Sequence, residues 1–335
     1  MNLVIPEGYK PAIDIKETNV AIKKVKDYFE RELAKQLNLT RVSAPLFVKP
    51  ETGLNDNLTG VERPVSFGIR EQNDALAEIV HSLAKWKREA LKRYDFDIGE
   101  GLYTDMYAIR RDEDTGNIHS LLVDQWDWEK VIDKSQRTTE ILKDTVSKVY
   151  NALKNTERYI AEKYDYIDEI LPDEIFFITS QELEDLYPEL EAEEREYKIS
   201  KEKGAVFISQ IGGVLNSGKP NDTRAPDYDD WALNGDILVY YPVLDIAMEL
   251  SSMGIRVDEK TLLNQLKLSD CMERAQLPFQ KALLEKKLPY TIGGGIGQSR
   301  ICMFYLRKAH IGEVQASIWP KEVIEEAKRK NLPLL

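Results

Sequence analysis

Over residues 18–38 apolar positions return at Ile22, Val25, Phe29, Leu33 and Leu37, with charged residues between them. That is the stripe of an amphipathic helix of about 20 residues. The segment 41–48 has strand composition, but Pro45 has no amide proton to give a ladder and belongs on an edge or a bulge. Further strands are predicted at 77–83, 101–109, 119–126, 174–179, 205–210, 236–243 and 248–257. Helices are predicted at 85–94, 138–164, 181–187, 261–268, 278–286 and 298–308. Strands follow one another more often than they alternate with helices. The pattern therefore points to an α+β fold with a mainly antiparallel sheet flanked by helices, not to a doubly wound parallel one. No repeat, linker or low-complexity run divides the chain, so residues 1–335 are expected to form a single domain with long insertions.

Composition narrows the classes of function. The 335 residues, 42% hydrophobic, can bury a large core. With 58 acidic against 46 basic residues the formal charge is −12, a field that repels a polyanion, so no nucleic-acid partner is expected. The start of the chain lacks a basic targeting region, and nothing later reaches the ~20 apolar residues of a membrane span; no membrane partner and a cytoplasmic location are expected. Cys271 and Cys302 stand alone, in no metal-binding spacing, and read as buried small hydrophobes. The acidic run 182–196, interrupted by Arg195, reads as a solvated helix face and loop.

Three segments carry candidate chemistry. Residues 291–300, TIGGGIGQSR, are a glycine-rich loop that would let a ligand approach the backbone, or a turn before the apolar helix that follows; Arg300 adds a forked cation in the first turn. Residues 99–114 end a strand on Arg110 and Arg111, and the return strand alternates Gln125, Asp127 and Glu129 with Trp126 and Trp128. The polar set shares one face, either a solvated one or the floor of a pocket, while the tryptophans belong to the core. Finally, Asp236 and Glu249 lie on adjacent predicted strands and have the oxygen-ligand character of a Mg²⁺ site bridging phosphates. His81, His119 and His310 are the only histidines and are taken as hydrogen-bonded scaffold.

In order and type these segments resemble the three signature motifs of class II aminoacyl-tRNA synthetases: motif one at about 18–48, motif two at about 99–129 around Arg110, and motif three at about 291–308, ending on Arg300. More specifically, nearly the whole chain resembles the ammonia-dependent asparagine synthetases, the aspartate–ammonia ligases. The runs that carry this are 56–60 (DNLTG), 81–88 (HSLAKWKR), 99–104 (GEGLYT), 123–129 (VDQWDWE), 224–231 (RAPDYDDW), 249–256 and 291–300. The connection from Trp231 to Leu233 looks short and is expected to alter a surface loop.

The resemblance implies a class II catalytic-domain fold and the ATP-dependent conversion of L-aspartate and ammonia to asparagine through a β-aspartyl adenylate, with AMP and pyrophosphate released. It implies Arg110 on the α-phosphate and the attacking carboxylate, Arg300 on the γ-phosphate, Gly293, Gly294, Gly295 and Gly297 around ATP, and Asp236 with Glu249 on Mg²⁺. For aspartate it implies Asp56, Gln125 and Asp227 on the ammonium and Ser82 and Lys87 on the α-carboxylate, with Asp127, Ser252 and Arg256 beside them. Asp56 or Asp127 would also attract ammonium and take its proton, since the nucleophile must be neutral NH₃. A homodimer through motif one is implied as well. A true tRNA synthetase would be expected to add an anticodon-reading module; a glutamine-dependent enzyme would carry a cysteine where Asn2 stands; a non-catalytic regulatory paralogue would not be expected to keep both arginines and both carboxylates.

Overall fold

The structure, a computed structural model, describes residues 3–58 and 60–335; Asn2 and Thr59 lie outside the described residues. In chain order the elements are α1 (Ile15–Leu37), β1 (Leu39–Arg41), β2 (Phe47–Val48), β3 (Ser66–Ile69), β4 (Ala75–Ile79), α2 (Ala84–Arg93), β5 (Gly101–Ile109), β6 (Leu122–Val131), α3 (Thr139–Ala161) and β7 (Phe176–Thr179). They continue with α4 (Ser180–Leu186), α5 (Ala192–Lys203), β8 (Ala205–Ser209), β9 (Asp229–Tyr241), β10 (Ile246–Arg256), α6 (Glu259–Leu268), α7 (Pro278–Leu284), β11 (Thr291–Gly297), α8 (Gln298–Tyr305) and α9 (Lys321–Arg329). Helix α1 begins where Asp14 accepts from the Glu17 amide at 2.8 Å and ends where Asn38 turns left-handed at φ 59°.

The main sheet has the order β1-β5-β6-β11-β10-β9-β8-β7, and β2-β4-β3 form a small second sheet. Pairing is antiparallel from β5 across to β8 and parallel at both outer edges, β1 with β5 and β7 with β8. The expectation of a mainly antiparallel sheet is thus met only in part: the sheet is mixed, because the crossover from β1 to β5 through the small sheet and α2, and that from β7 to β8 through α4 and α5, bring the edge strands in parallel.

One face of the sheet is closed by α1, α3 and α8. Val25, Phe29 and Leu33 of α1 share a core with Val146 and Val149, with Met303 and Phe304, and with Trp126 and Trp128 from β6. Phe29 and Trp126 have ring centroids 4.8 Å apart, so the tryptophans are core, as expected. On the opposite face α2 packs over β5, β6 and β11, while Leu183 and Ile199 of α4 and α5 cover Val206, Ile208 and Leu238. The strip of sheet left between them is the floor of a cleft.

Further expectations need correction, first the strand at 41–48, of which only Arg41 in β1 and Phe47–Val48 in β2 are strand, in different sheets. Residues 291–297 are not a loop but a central strand, hydrogen-bonded on both sides. Trp231 to Leu233 lie inside β9, which starts at Asp229, seven residues before the predicted strand. The acidic run is not uniformly solvated, since Arg195 is buried and pairs with Glu184 at 3.2 Å. Helix α9, of nine residues, and strand β3, of four, were not expected. No helix among the described residues is long and apolar enough to cross a membrane.

Candidate active site

The floor of the cleft is built by pairing side chains with glycines. Across the β6–β11 ladder Gln125 faces Gly297, Asp127 faces Gly295 and Glu129 faces Gly293. A Cβ at 293 would overlap the Glu129 carboxylate, and one at 295 would stand 2.5 Å from the Gln125 Oε1 and 3.0 Å from the Asp127 Oδ1. The glycines therefore make room for a polar row on the neighbouring strand, a demand that the period of two imposes directly.

Beneath that row lies a buried set of charges. Lys87, from α2, donates to the Gly294 carbonyl at 2.9 Å and sits 3.2 Å from Asp127 Oδ2 and 3.8 Å from Glu129 Oε2. Arg256, at the end of β10, grips Glu129 through Nη2 at 2.7 Å and Nε at 2.9 Å and pairs with Asp229 through Nη1. Thr291 Oγ1 adds a bond to Glu129 at 2.7 Å. Burial pulls the Lys87 ammonium below its ordinary value against the pull of Asp127 and Glu129. Burial works the other way on Glu129, but Arg256 and Lys87 hold that carboxyl below its usual range. Two cations thus meet the three carboxylates Asp127, Glu129 and Asp229, and the Asp127 Oδ1 is buried with no partner.

At one end of the floor, Asp56 accepts from Ser82 Oγ and from the Leu58 amide, both at 2.9 Å. At the other end stand the arginines. Arg110, at the end of β5, has its Nε buried without a partner, and its nearest carboxylate is Glu113 at 4.0 Å. Arg300 is held by the carbonyls of Glu249 at 3.0 Å and Ile118 at 3.4 Å, with the Glu249 carboxylate 3.6 Å away. Between these cations lies His119, whose imidazole is pushed down to about 4 by burial, with Arg300 and Arg110 adding to the effect, so it is neutral near pH 7. Glu249 is pushed up by burial but held below its ordinary value by Arg300, Arg224 and Arg110. Asp236 is raised by burial and by Glu249 against the pull of Arg224, which bonds its Oδ2, while its Oδ1 is buried and unpartnered.

One cavity of about 520 Å³ joins these parts. Of the residues expected at the site, Asp56, Ser82, Lys87, Arg110, Gln125, Asp127, Glu249, Ser252, Arg256, Gly294, Gly295, Gly297 and Arg300 line it. Asp227, Asp236 and Gly293 are not among its lining residues. Asp227 is buried, held by Lys85 at 3.0 Å and Gln280 at 2.8 Å; Asp236 lies behind Arg224; Gly293 is covered by Glu129 and Arg256. The sequence points to His119 only as scaffold and to no role for Arg224, Asp124 or Asp229, yet all four line the cleft. Asp124, Arg224 and Asp229 stood inside recognised runs and His119 four residues before one, but only the folded chain brings them to the floor. No group of three or more His, Cys, Asp and Glu side chains suited to a metal occurs among the described residues.

Compared with known proteins, residues 16–331 match the family described as aspartate–ammonia ligase. The chain is 65% identical to the aspartate–ammonia ligase of Ruminiclostridium cellulolyticum, over 100% of this chain and 99% of that one. It is 61% identical to the one of Fusobacterium nucleatum, over 98% and 100%. Among solved structures, asparaginyl-tRNA synthetase from Pyrococcus horikoshii complexed with asparaginyl-adenylate superposes with a TM-score of 0.63 at 16% identity, covering 91% of this chain and 70% of that one. The Entamoeba histolytica asparaginyl-tRNA synthetase gives 0.60 at 13% identity, over 90% and 66%. These likenesses establish a class II synthetase fold.

Proposed function

The chain belongs to the aspartate–ammonia ligase family, and from that premise we propose how its cleft divides the work. The enzyme is an ATP-dependent ligase of asparagine biosynthesis, joining ammonia to L-aspartate with release of AMP and pyrophosphate. The observation that carries the site reading is the guanidinium of Arg110. It is aimed into the cleft with a buried Nε that no group among the described residues satisfies, a state that costs about 1–3 kcal/mol until an anion arrives.

In this reading Arg110 grips the α-phosphate of ATP and the attacking β-carboxylate, and Arg300 the γ-phosphate. Both guanidinium forks stabilise charge that develops as the β-carboxylate oxygen bonds to the α-phosphorus and pyrophosphate leaves. Gly295 and Gly297, on the floor side of β11, let the nucleotide lie close to the backbone, while the bare face of Gly294 is taken up by Met253. Aspartate sits toward the other end, its ammonium met by Asp56, Gln125 and Asp127, its α-carboxylate by Ser82, Ser252 and the buried cations Lys87 and Arg256. Ammonia then attacks the β-carbonyl carbon, the bond to AMP breaks, and Asp56 or Asp127 takes the proton that ammonium must lose. Asp227 supports this end through Lys85 and α2.

Asp236 and Glu249 supply the oxygen ligands that suit Mg²⁺, which is commonly held by one or two carboxylates together with substrate phosphates, provided Arg224 gives up its pair with Asp236. The unpartnered Asp236 Oδ1 supports the assignment. When bound, the ion would neutralise phosphate charge. The motif-one resemblance of 18–48 supports a homodimer, and the reading takes the enzyme to be cytoplasmic, where ATP is made available, with no part for nucleic acid.

The test is direct. Purified protein with aspartate, ATP and Mg²⁺ is given ammonium or glutamine, and asparagine, AMP and pyrophosphate are quantified. Equal amounts of the three products with ammonium, and none without aspartate, support the reading; ADP in place of AMP would overturn it.

A further inference from the structure

Helix α8 carries Arg300 in its first turn, yet it begins at Gly297, which has no side chain with which to cap it. The glycine also leaves space beside the arginine. A Cβ at 297 would stand 3.3 Å from the Cβ of Arg300 and 3.6 Å from its Cγ and Cδ, so its absence lets the arginine fold back across the start of its own helix. The helix is left with amides that must find an acceptor elsewhere.

Asp124 supplies it from β6. Its Oδ1 accepts from the Ser299 amide at 3.1 Å, and its Oδ2 accepts from the Ser299 hydroxyl at 2.8 Å. A carboxylate at this end also complements the helix dipole. The carboxylate is itself fixed: Gln315 Nε2 donates to Oδ1 at 3.2 Å, and Lys26 of α1 reaches Oδ2 at 3.2 Å. Asp124 is 7% exposed, so these bonds are sheltered from competing water. Further out, the guanidinium is steadied by the carbonyls of Ile118 and Glu249.

We propose that Asp124 is a positioning residue for ATP: by capping α8 from the neighbouring strand it sets the direction of Arg300, and it does so without touching the nucleotide. This rests on the reading that Arg300 grips the phosphates.

The full-length enzyme is assayed as wild type, Asp124→Ala, Asp124→Asn, Arg300→Ala and the double variant Asp124→Ala/Arg300→Ala. KM for ATP, KM for aspartate, kcat and the thermal midpoint are measured for each. Asp124→Ala is expected to raise KM for ATP by about tenfold, the size of one lost cap, with KM for aspartate within about twofold. Asp124→Asn, which keeps an oxygen for the Ser299 amide, recovers most of the loss. The double variant is no worse than Arg300→Ala alone, because the lost interaction acts through the arginine.

Additive effects in the double variant overturn the proposal, and so does an equal rise in both KM values with a fall in the thermal midpoint. If Arg300→Ala itself leaves KM for ATP unchanged, the phosphate reading falls and the proposal with it; if it raises KM while Asp124→Ala does not, only the proposal falls. Should Asp124→Ala not fold, Ser299→Ala, which removes one of the two capping bonds, carries the same comparison.

Discussion

Glu129 lies directly across the β6–β11 ladder from Gly293, so near that any side chain at 293 would occupy the space of its carboxylate. That carboxylate is the hub for Arg256, Thr291 and Lys87. Gly293→Ala is therefore expected to lower stability by about 3–5 kcal/mol, the size of a broken buried ion pair. Chemical denaturation measures it; a loss under about 1 kcal/mol would mean the strand gives way easily and the glycine is not there for Glu129.

Arg110 gives a prediction about chemistry with little effect on folding, since it has no strong protein partner to lose. Arg110→Ala should cut kcat/KM by a factor on the order of 10²–10³, as removal of a preorganised donor does. Arg110→Lys should restore only a small part, because a point cation cannot replace the fork. Aspartate-dependent exchange of pyrophosphate into ATP reads the adenylation step alone and should fall in parallel.

Asp227 and Lys85 form an ion pair at 3.0 Å with both side chains almost fully buried. Asp227→Asn should cost about 3–5 kcal/mol of stability by leaving the lysine uncompensated. A substrate ligand would behave otherwise, raising KM for aspartate in an enzyme of normal stability, and paired measurements of denaturation and KM separate the two roles.

Most of the residues named from the sequence line one cleft because Arg110 follows the end of a strand, Arg300 opens the helix after one, and Gln125 and Asp127 share a strand face, where a period of two fixes direction. Helices α1 and α3, each of 23 residues, were legible because apolar residues recur at the helical period over several turns. Residues 291–297 were misread because four glycines in seven residues look like a loop. What makes them a strand is the bulk of Gln125, Asp127 and Glu129 next door, which is a tertiary fact. Asp227 and Asp236 fell behind the floor because Lys85 and Arg224 reach them first, and pairings that span more than a hundred residues, or cross between strand and loop, leave no local trace.

His310 makes stability depend on pH. Its Nδ1 must be an acceptor, since it takes a hydrogen bond from the Gly312 amide at 3.0 Å, and burial pushes the imidazole down to about 4 from its ordinary 6.5. As pH falls through 6.5 the unfolded chain takes up a proton that the folded one refuses until about 4, so stability declines across that window and is constant below it. His119 acts in the same direction. His310→Asn keeps an acceptor for Gly312 without titrating, and should flatten the decline by about 1–3 kcal/mol. Denaturation midpoints followed from above 6.5 down to 4 test this; an unchanged slope in the variant would remove His310 as its source.

Asp127 carries the argument about aspartate selection. The buried set has cations at Lys87 and Arg256 but carboxylates at Asp127, Glu129 and Asp229, and the Asp127 Oδ1 has no partner. An unpaired buried carboxylate oxygen is costly in the empty enzyme and becomes favourable when a cation reaches it. The α-ammonium of aspartate is such a cation. Asp127→Asn balances the set at two charges of each sign, so the variant should be at least as stable as the parent while KM for aspartate rises by about 10–100-fold, the worth of one charged hydrogen bond. KM for ATP should stay within about twofold, since the arginine end is untouched. Succinate, which lacks the ammonium, adds a control: the parent should bind it far more weakly than aspartate, and Asp127→Asn should narrow that gap. If the variant keeps the parent's KM and still rejects succinate, the ammonium is recognised elsewhere in the cleft, with Asp56 and Gln125 the residues to change next.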